Sequence, residues 1–157
     1  AQQMFDEDYP DGWRYYWKSA NLTALDDEAI DVIVDHAQRQ QSPHSTTDVW
    51  HVGGAVRNVP AGGSAFNGRQ AAFLINPEAN WEHPDGDAQN IAWVRGFVSD
   101  LERFSDGSRY LNFAGMQEEG QQMMRSAFGS QFDRMLELKR RWDPENLFRL
   151  NQNVDPH

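Results

Sequence analysis

Long helical patterns alternate with strand patterns along this sequence, and this alternation limits the class of fold. Strands are expected at residues 14–22, 45–52, 70–81 (interrupted near Pro77) and 109–114. The resulting order of elements is β-α-β-β-α-β-α-α, without the glycine pattern of a nucleotide-binding parallel sheet. We therefore predict an α+β fold, a mostly antiparallel sheet with helices packed on one face. The other face is left for a ligand or another domain.

Four helices are predicted, and the first has the clearest pattern. Residues 26–40 begin with Asp26 and Asp27, either of which can accept a hydrogen bond from the first free N–H groups of the helix. The apolar stripe predicted for this helix consists of Ala29, Ile30, Ile33, Val34 and Ala37. The other helices are expected at 87–104, about 117–127 and about 130–141. The glycine-rich segment 53–69 is predicted to be a loop with a short strand at 55–58.

The composition excludes several classes of function. A net charge of −10, spread along the chain, argues against a nucleic-acid partner, which needs a basic face. No stretch approaches the roughly 18 uninterrupted apolar residues of a membrane span, and the N-terminus lacks the features of a signal peptide. We expect one domain over residues 1–157, located in the cytoplasm, without a membrane partner. Because the sequence does not begin with Met, we also expect it to be a piece of a longer protein.

The sequence gives no pattern for a metal site. It contains no cysteine, the histidine spacings match no known ligand pattern, and two acidic turns lack the bidentate glutamate of a calcium loop. His36 is expected to be solvated on its helix. His51 follows Trp50 in a predicted strand, so its imidazole would point at whatever the sheet face binds. A structural histidine held by a hydrogen bond is the alternative reading of His51.

The short segment YLNF, residues 110–113, carries two polar side chains in a predicted strand. On a strand Tyr110 and Asn112 would point to the same face, and Leu111 and Phe113 to the other. Tyr110 and Asn112 either satisfy each other inside the fold or line a binding site. The pattern alone leaves both possibilities open.

The YLNF segment and the C-terminal residues together form a longer pattern. The pattern reads Tyr-x-Asn-[Tyr/Phe], a spacer, [Tyr/Phe]-Gly, Arg-Leu-like residues, a lysine, Asp-Pro-x-Asn-x-Phe and Asn-Gln. It consists here of Tyr110, Asn112, Phe113, Phe128, Gly129, Arg134, Met135, Lys139, Asp143, Pro144, Asn146, Phe148, Asn151 and Gln152. This pattern resembles the C-terminal signature of berberine bridge enzyme-like FAD-linked oxidases, within the vanillyl-alcohol oxidase superfamily. The segments HVGGAVRNVP and ANWEHP also resemble the substrate domain of that family.

The resemblance implies a division into two domains. An N-terminal domain, absent from this chain, would bind FAD, and this chain would be the α+β substrate domain that covers the flavin with its sheet. The implied reaction is oxidation of an alcohol, sugar or amine-type small molecule by hydride transfer to the flavin. The alternative is a non-catalytic domain that binds a small molecule or a protein and keeps the fold without the chemistry. That alternative is favoured by Phe113, because several relatives have a tyrosine base at this position.

Roles for individual residues follow from the same resemblance. With Phe113 unable to take a proton, the candidates for the base are Tyr110, His51 and Glu78, and Lys18 is a conceivable helper of a tyrosine base. Residues expected to contact the flavin or the facing domain are Tyr110, Asn112, Asn151 and Gln152. Residues expected to contact the substrate are Lys18, Trp50, Phe73, Asn76 and Phe113. Asp143 and Pro144 are expected to end the last helix and to turn Leu147 and Phe148 into an apolar seam.

Overall fold

A computed structural model describes residues 9–60, 62–115, 120–150 and 152–157, which form one antiparallel sheet and four α-helices. The strands are β1 (Arg14–Trp17), β2 (Ala20–Leu22), β3 (Thr46–His51) and β4 (Phe73–Trp81). The helices are α1 (Asp27–Gln38), α2 (Asp87–Leu101), α3 (Gln121–Phe128) and α4 (Phe132–Trp142). The predicted α+β class is therefore confirmed.

Strand β4 is the centre of the sheet. It pairs with β3 along one edge and with both β1 and β2 along the other, always antiparallel. The pairs Trp17–Glu78 and Ala20–Ile75 have the same register, so β1 and β2 are two parts of one line of strand. The break between them lies opposite Pro77, which has no N–H to donate to a neighbouring strand. The predicted interruption thus falls in the partner strand, while β4 itself runs unbroken through Pro77.

One face of the sheet packs on helices α1 and α2. Alternation along β4 directs Ile75, Ala79 and Trp81 toward this face, where they join the hydrophobic core. From α2 the core receives Val94, Phe97 and Leu101, none of which exposes any surface. The helical spacing of these three residues explains why α2 lies with one side on the sheet.

Helix α1 has the predicted start but a different buried face. The carboxylate of Asp26 accepts a hydrogen bond of 2.9 Å from the N–H of Ala29, as a capping residue does. Two residues of the predicted stripe are largely exposed, Ile30 at 42% and Val34 at 47%. The expectation of a solvated His36 is also wrong, because its ring stacks on Phe97 at 4.6 Å. The reason is the contact with α2, which rotates the helix so that His36 is buried.

Two other predicted elements differ from the structure. Residues 109–114 do not form a strand, since Leu111–Phe113 is a turn of 3-10 helix. Within 55–58 the predicted strand is replaced by the 3-10 turn Gly54–Val56. The third predicted helix begins at Gln121, and residues 117–119 lie outside the described residues.

The C-terminal segment stops helix α4 as predicted but leaves its apolar side chains uncovered. The carboxylate of Asp143 accepts hydrogen bonds from the N–H groups of Leu147 at 2.7 Å and Phe148 at 3.0 Å, and also binds Lys139. The hydrogen bond from Lys139 lowers the pKa of Asp143. Leu147 is nevertheless 73% exposed and Phe148 83% exposed. The prediction that these two side chains enter an apolar seam is therefore wrong for the described residues. Leu150 and Trp142 are exposed in the same way.

Candidate functional site

The face of the sheet that α1 and α2 do not cover carries buried polar side chains. Alternation along β4 directs Leu74, Asn76, Glu78 and Asn80 to this face, which we call the open face. All four are nonetheless buried, and Asn76 exposes no surface at all. Buried polar groups on one sheet face are costly unless they are hydrogen-bonded, so their partners decide what the face can do.

Glu78 lies at the middle of the open face with only 3% of its surface exposed. Its Oε2 accepts a hydrogen bond of 2.8 Å from the hydroxyl of Tyr9, and its Oε1 accepts one from the side-chain amide of Asn76. Burial raises the pKa of Glu78, and the neighbouring carboxylate of Asp48 adds to this rise. The hydrogen bonds from Tyr9, Asn76 and Thr46 act in the opposite direction but do not cancel the effect of burial. The result is a carboxyl group that holds its proton to a higher pH than an exposed glutamate.

Two asparagines flank Glu78 on β4, and they differ in whether both polar atoms of the side-chain amide have hydrogen-bond partners. Asn80 accepts a hydrogen bond of 2.7 Å from the indole N–H of Trp17 and donates to the carbonyl of His44. The Oδ1 atom of Asn76 is buried and has no hydrogen-bond partner within the described residues. An unsatisfied buried carbonyl is a suitable acceptor for an N–H or O–H group of a ligand.

Aromatic side chains surround these polar groups. The ring of Phe113 packs edge-on against Trp17 at 6.2 Å, Trp50 at 5.8 Å and Tyr110 at 5.3 Å, measured between ring centroids. We call Trp17, Trp50, Tyr110 and Phe113 the aromatic wall. Trp50 is 48% exposed, so part of this wall is open to a ligand. Its indole N–H donates to Asp48 at 3.2 Å, which holds the ring beside the strand.

Tyr110 and Asn112 satisfy each other although they are not on a strand. The amide of Asn112 donates a hydrogen bond of 2.8 Å to the hydroxyl of Tyr110. Asn112 is exposed, and it lines an open pocket together with Trp17, Gly115 and Gln152. The Oε1 atom of Gln152 is buried without a partner in the described part of the chain. The predicted flavin-contacting residues Asn112 and Gln152 therefore meet in one place, while Asn151 lies outside the described residues.

Two predicted site residues lie on the other face of the sheet. His51 pairs with Phe73, and the alternation of β4 turns Phe73 toward the helices, where it packs against the core. The ring of His51 contacts that of Phe73 at 5.4 Å, away from Glu78. The prediction that His51 points into the ligand-binding face is therefore wrong, since the strand register gives it the opposite direction. Lys18 lies at the break between β1 and β2, where its side chain passes beside Gly115.

The sequence pattern did not predict three neighbours of Glu78. Thr46 and Asp48 lie on β3 at the spacing that puts them on the same face as Trp50, so the alternation of β3 could have found them. Tyr9 could not have been found in this way, because it is 69 residues from Glu78 in the chain and belongs to no strand.

The described residues show neither a membrane span nor a metal site. Within residues 9–60, 62–115, 120–150 and 152–157, no helix has the length and apolar character needed to cross a membrane. The same residues contain no group of three or more His, Asp or Glu side chains that could hold a metal ion.

Comparison with known proteins gives the class to which this fold and site belong. Residues 109–155 match the family model described as "Berberine and berberine like". The chain is 30% identical over 119 residues to the FAD-linked oxidoreductase YgaK of Bacillus subtilis (strain 168), covering 74% of this chain and 26% of YgaK. It is 31% identical over 104 residues to YvdP of the same organism, covering 66% of this chain and 23% of YvdP. The chain thus spans about a quarter of the length of these curated relatives.

The solved structures agree at the level of the fold. A berberine bridge enzyme variant described as a reticuline dehydrogenase superimposes with a TM-score of 0.82 at 15% identity, covering 93% of this chain and 34% of that chain. The class defined by these matches is that of the FAD-linked oxidoreductases. Within that class, residues 109–155 match the berberine bridge enzyme-like family, and the resemblance that the C-terminal sequence pattern predicted is confirmed.

Proposed function

We propose that this chain is the substrate-binding domain of an FAD-dependent oxidoreductase. The enzyme would oxidise an alcohol, sugar or amine-type small molecule by hydride transfer to the flavin. The observation that carries the proposal is Glu78, a buried carboxyl group with a raised pKa on the open face of the sheet. A general base is most effective when its pKa lies near the working pH, and burial is a common way to bring a glutamate there.

The FAD-binding domain would be contributed by the part of the protein that this chain lacks. The relatives YgaK and YvdP are about four times as long as the segment they share with this chain, which leaves room for such a domain. The exposed apolar side chains of the C-terminal segment support the same division, since Leu147 and Phe148 have no cover in the described chain. Exposed apolar clusters of this kind are typical of an interface with another domain.

The side chains on the open face fit a flavin. The unsatisfied oxygens of Asn76 and Gln152 are suited to the N–H groups of a flavin ring or of a substrate. The aromatic wall offers an apolar surface that can exclude water from a bound ring. Tyr110, Asn112 and Gln152, with Asn151, would hold the flavin side of the site, and Trp50, Asn76 and Phe113 the substrate side. Bound FAD supplies the capacity to accept a hydride, which no side chain of this domain has.

The chemical task left to this domain is the movement of a proton. In its ionised form Glu78 takes up a proton when the substrate hydroxyl or amine releases one, and Asn76 holds Oε1 of that carboxylate in place. Asp48 adds negative charge next to Glu78, which favours the protonated product of that transfer. The aromatic wall excludes water once the face is covered by the second domain.

One observation favours the non-catalytic alternative. Phe113 has no hydroxyl where several relatives of the family have a tyrosine, and its ring is surrounded by Trp17, Trp50 and Tyr110. A domain that only binds a ligand would keep such a wall and would not need Glu78 as a base.

The full-length protein distinguishes the two functions. Anaerobic mixing with a panel of alcohols, sugars and amines is expected to bleach the flavin absorbance with at least one member of the panel. The bleaching should saturate with substrate concentration and reverse when oxygen is admitted. A full-length protein that binds no flavin, or whose flavin no member of the panel reduces, would contradict the oxidoreductase and favour the binding domain.

The proposed interface gives a separate prediction. Changing both Leu147→Asp and Phe148→Asp is expected to lower the free energy of unfolding of the full-length protein by about 3 kcal/mol or more, since each buried apolar side chain contributes about 1.5–3 kcal/mol. Urea unfolding followed by flavin fluorescence measures the change. In the 157-residue chain the same double variant should change stability little, because both side chains are already exposed there.

The matched control for this prediction is Glu145→Gln, a change at an exposed position of the same segment. It should leave the stability of both proteins unchanged. Equal stability of the full-length double variant and the full-length wild type would show that the second domain does not cover these residues.

A further inference from the structure

Glu78 has little direct access to anything that approaches the open face. It is only 3% exposed, and both of its oxygens are engaged, Oε1 by Asn76 and Oε2 by Tyr9. Tyr9, by contrast, is 37% exposed, and its hydroxyl lies 2.8 Å from Oε2 of Glu78. Tyr9 is therefore a partly exposed residue in direct hydrogen-bond contact with the buried carboxyl.

The position of Tyr9 is fixed by aromatic contacts and by one backbone anchor. Its ring packs edge-on against Trp17 at 5.3 Å and lies 6.2 Å from Tyr15. The hydroxyl of Tyr15 donates a hydrogen bond of 2.6 Å to the carbonyl of Pro10, which holds the segment just before β1. A hydroxyl held in this way is pre-oriented for proton transfer, as an efficient acid or base requires.

Tyr9 also supplies a hydroxyl near Phe113, whose own ring has none. Phe113 and Tyr9 both contact the ring of Trp17, at 6.2 Å and 5.3 Å between centroids. The only one of these two rings that carries a hydroxyl is Tyr9. The chain therefore has a second tyrosyl hydroxyl beside the aromatic wall, in addition to that of Tyr110, and this second one comes from the N-terminal segment.

We propose that Tyr9 and Glu78 form a proton-transfer pair, in which the hydroxyl of Tyr9 connects the substrate with the buried carboxylate of Glu78. This inference rests on the proposed oxidoreductase function and extends it. The O–H or N–H bond of the substrate breaks and its proton joins Oη of Tyr9, while the original proton of Tyr9 joins Oε2 of Glu78. Tyr9 ends neutral, Glu78 ends protonated, and the two electrons leave the substrate with the hydride of the proposed reaction.

The direction of the pH effect follows from the groups that face Glu78. From β3 these are Asp48, which raises the pKa of Glu78, and Thr46, which lowers it. From the segment before β1 it is Tyr9, whose hydroxyl donates to the carboxylate and lowers the pKa. β1 contributes the uncharged Trp17 in the paired position. Loss of the Tyr9 hydroxyl must therefore raise the pKa of Glu78 and move its ionisation to higher pH.

The test uses the full-length flavoprotein with the substitution Tyr9→Phe, which keeps the ring contacts and removes only the hydroxyl. We expect the anaerobic rate of flavin reduction to fall by about 10- to 100-fold. The acid limb of its pH profile should move up by about one pH unit, the size expected for loss of one hydrogen bond to a charged group. The control is Ser99→Ala, which removes an exposed hydroxyl on α2, and it should change neither quantity by more than about twofold.

A second measurement does not depend on activity. Difference infrared spectra over a pH titration follow the carbonyl band of the protonated Glu78 carboxyl, which is assigned by its loss in Glu78→Gln. The midpoint of this band should lie at higher pH in Tyr9→Phe than in the wild type and the Ser99→Ala control. If Tyr9→Phe changes neither the midpoint of the infrared band nor the rate of flavin reduction, the proposed proton-transfer pair is wrong. If no substrate reduces the wild-type flavin, the proposed function fails, while the infrared midpoint alone still decides whether Tyr9 and Glu78 are coupled.

Discussion

Replacing Glu78 with glutamine is expected to slow flavin reduction in the full-length protein by about 10²- to 10⁴-fold, the usual contribution of a general base. Glutamine keeps the size and the polar character of the side chain but cannot accept the substrate proton. Stopped-flow absorbance under anaerobic conditions measures the rate, with the substrate identified by the panel. The affinity for that substrate should change much less than the rate, because the change affects proton transfer more than binding.

The pH dependence of the wild-type protein belongs to the same prediction. The base must be ionised, so the rate should rise with pH as Glu78 loses its proton. The midpoint should lie above the ordinary range of a glutamate, because burial raises this pKa. In the Glu78→Gln variant this acid limb should be absent.

A matched control for Glu78→Gln is available four residues further along the chain. Glu82 is exposed just beyond β4 and binds His44 at 3.1 Å, outside the open face. Glu82→Gln should keep the wild-type rate and the wild-type pH profile. A Glu78→Gln variant as fast as the Glu82→Gln control would assign the base to another residue, and Tyr110 would be the next candidate.

The second large effect is expected in the core. Phe97→Ala should lower the free energy of unfolding of the 157-residue chain by about 3–5 kcal/mol, the usual cost of removing a buried phenylalanine ring. Phe97 exposes no surface, stacks on His36 at 4.6 Å and packs edge-on against Trp93 at 5.9 Å. Its loss leaves a cavity between α1 and α2 that the two helices cannot easily close.

Urea unfolding followed by circular dichroism measures this loss. The control is Val34→Ala on α1, at a position that is 47% exposed, and it should cost no more than about 0.5 kcal/mol. Similar losses for the two variants would mean that α1 and α2 do not share a core through Phe97.

The sequence pattern predicted those parts of the fold that depend on local order. Strands β3 and β4 and helix α2 follow directly from alternation and from helical spacing, and Asp26 caps α1 as its residue type suggests. The pattern was wrong where distant contacts decide. Helix α1 turns His36 inward because the ring of Phe97 and the carboxylate of Asp100 contact it there. These two residues lie 61 and 64 positions further along the chain, so the sequence of α1 contains no sign of them.

The candidate site was predictable to a similar extent. Glu78 could be named only as one of three candidates for the base, whereas Asn112 and Gln152 could be named from the motif. The surroundings that make Glu78 unusual could not be named, because Tyr9 reaches it across 69 residues of chain. The prediction for His51 was wrong for a related reason. Its direction depends on the register between β3 and β4, and a shift of one residue would reverse it.

The burial of Glu78 has a further consequence, which concerns folding. Its folded-state pKa is raised, so between the unfolded and folded pKa values the folded chain keeps a proton that the unfolded chain has released. This residue therefore makes the folded state less stable as pH rises through that window, and above the window its ionised form destabilises the native structure. A glutamine would fill the same space without that loss of stability. If the proposed function is right, Glu78 lowers the stability of the folded protein but is retained because the reaction needs a carboxylate that can accept a proton.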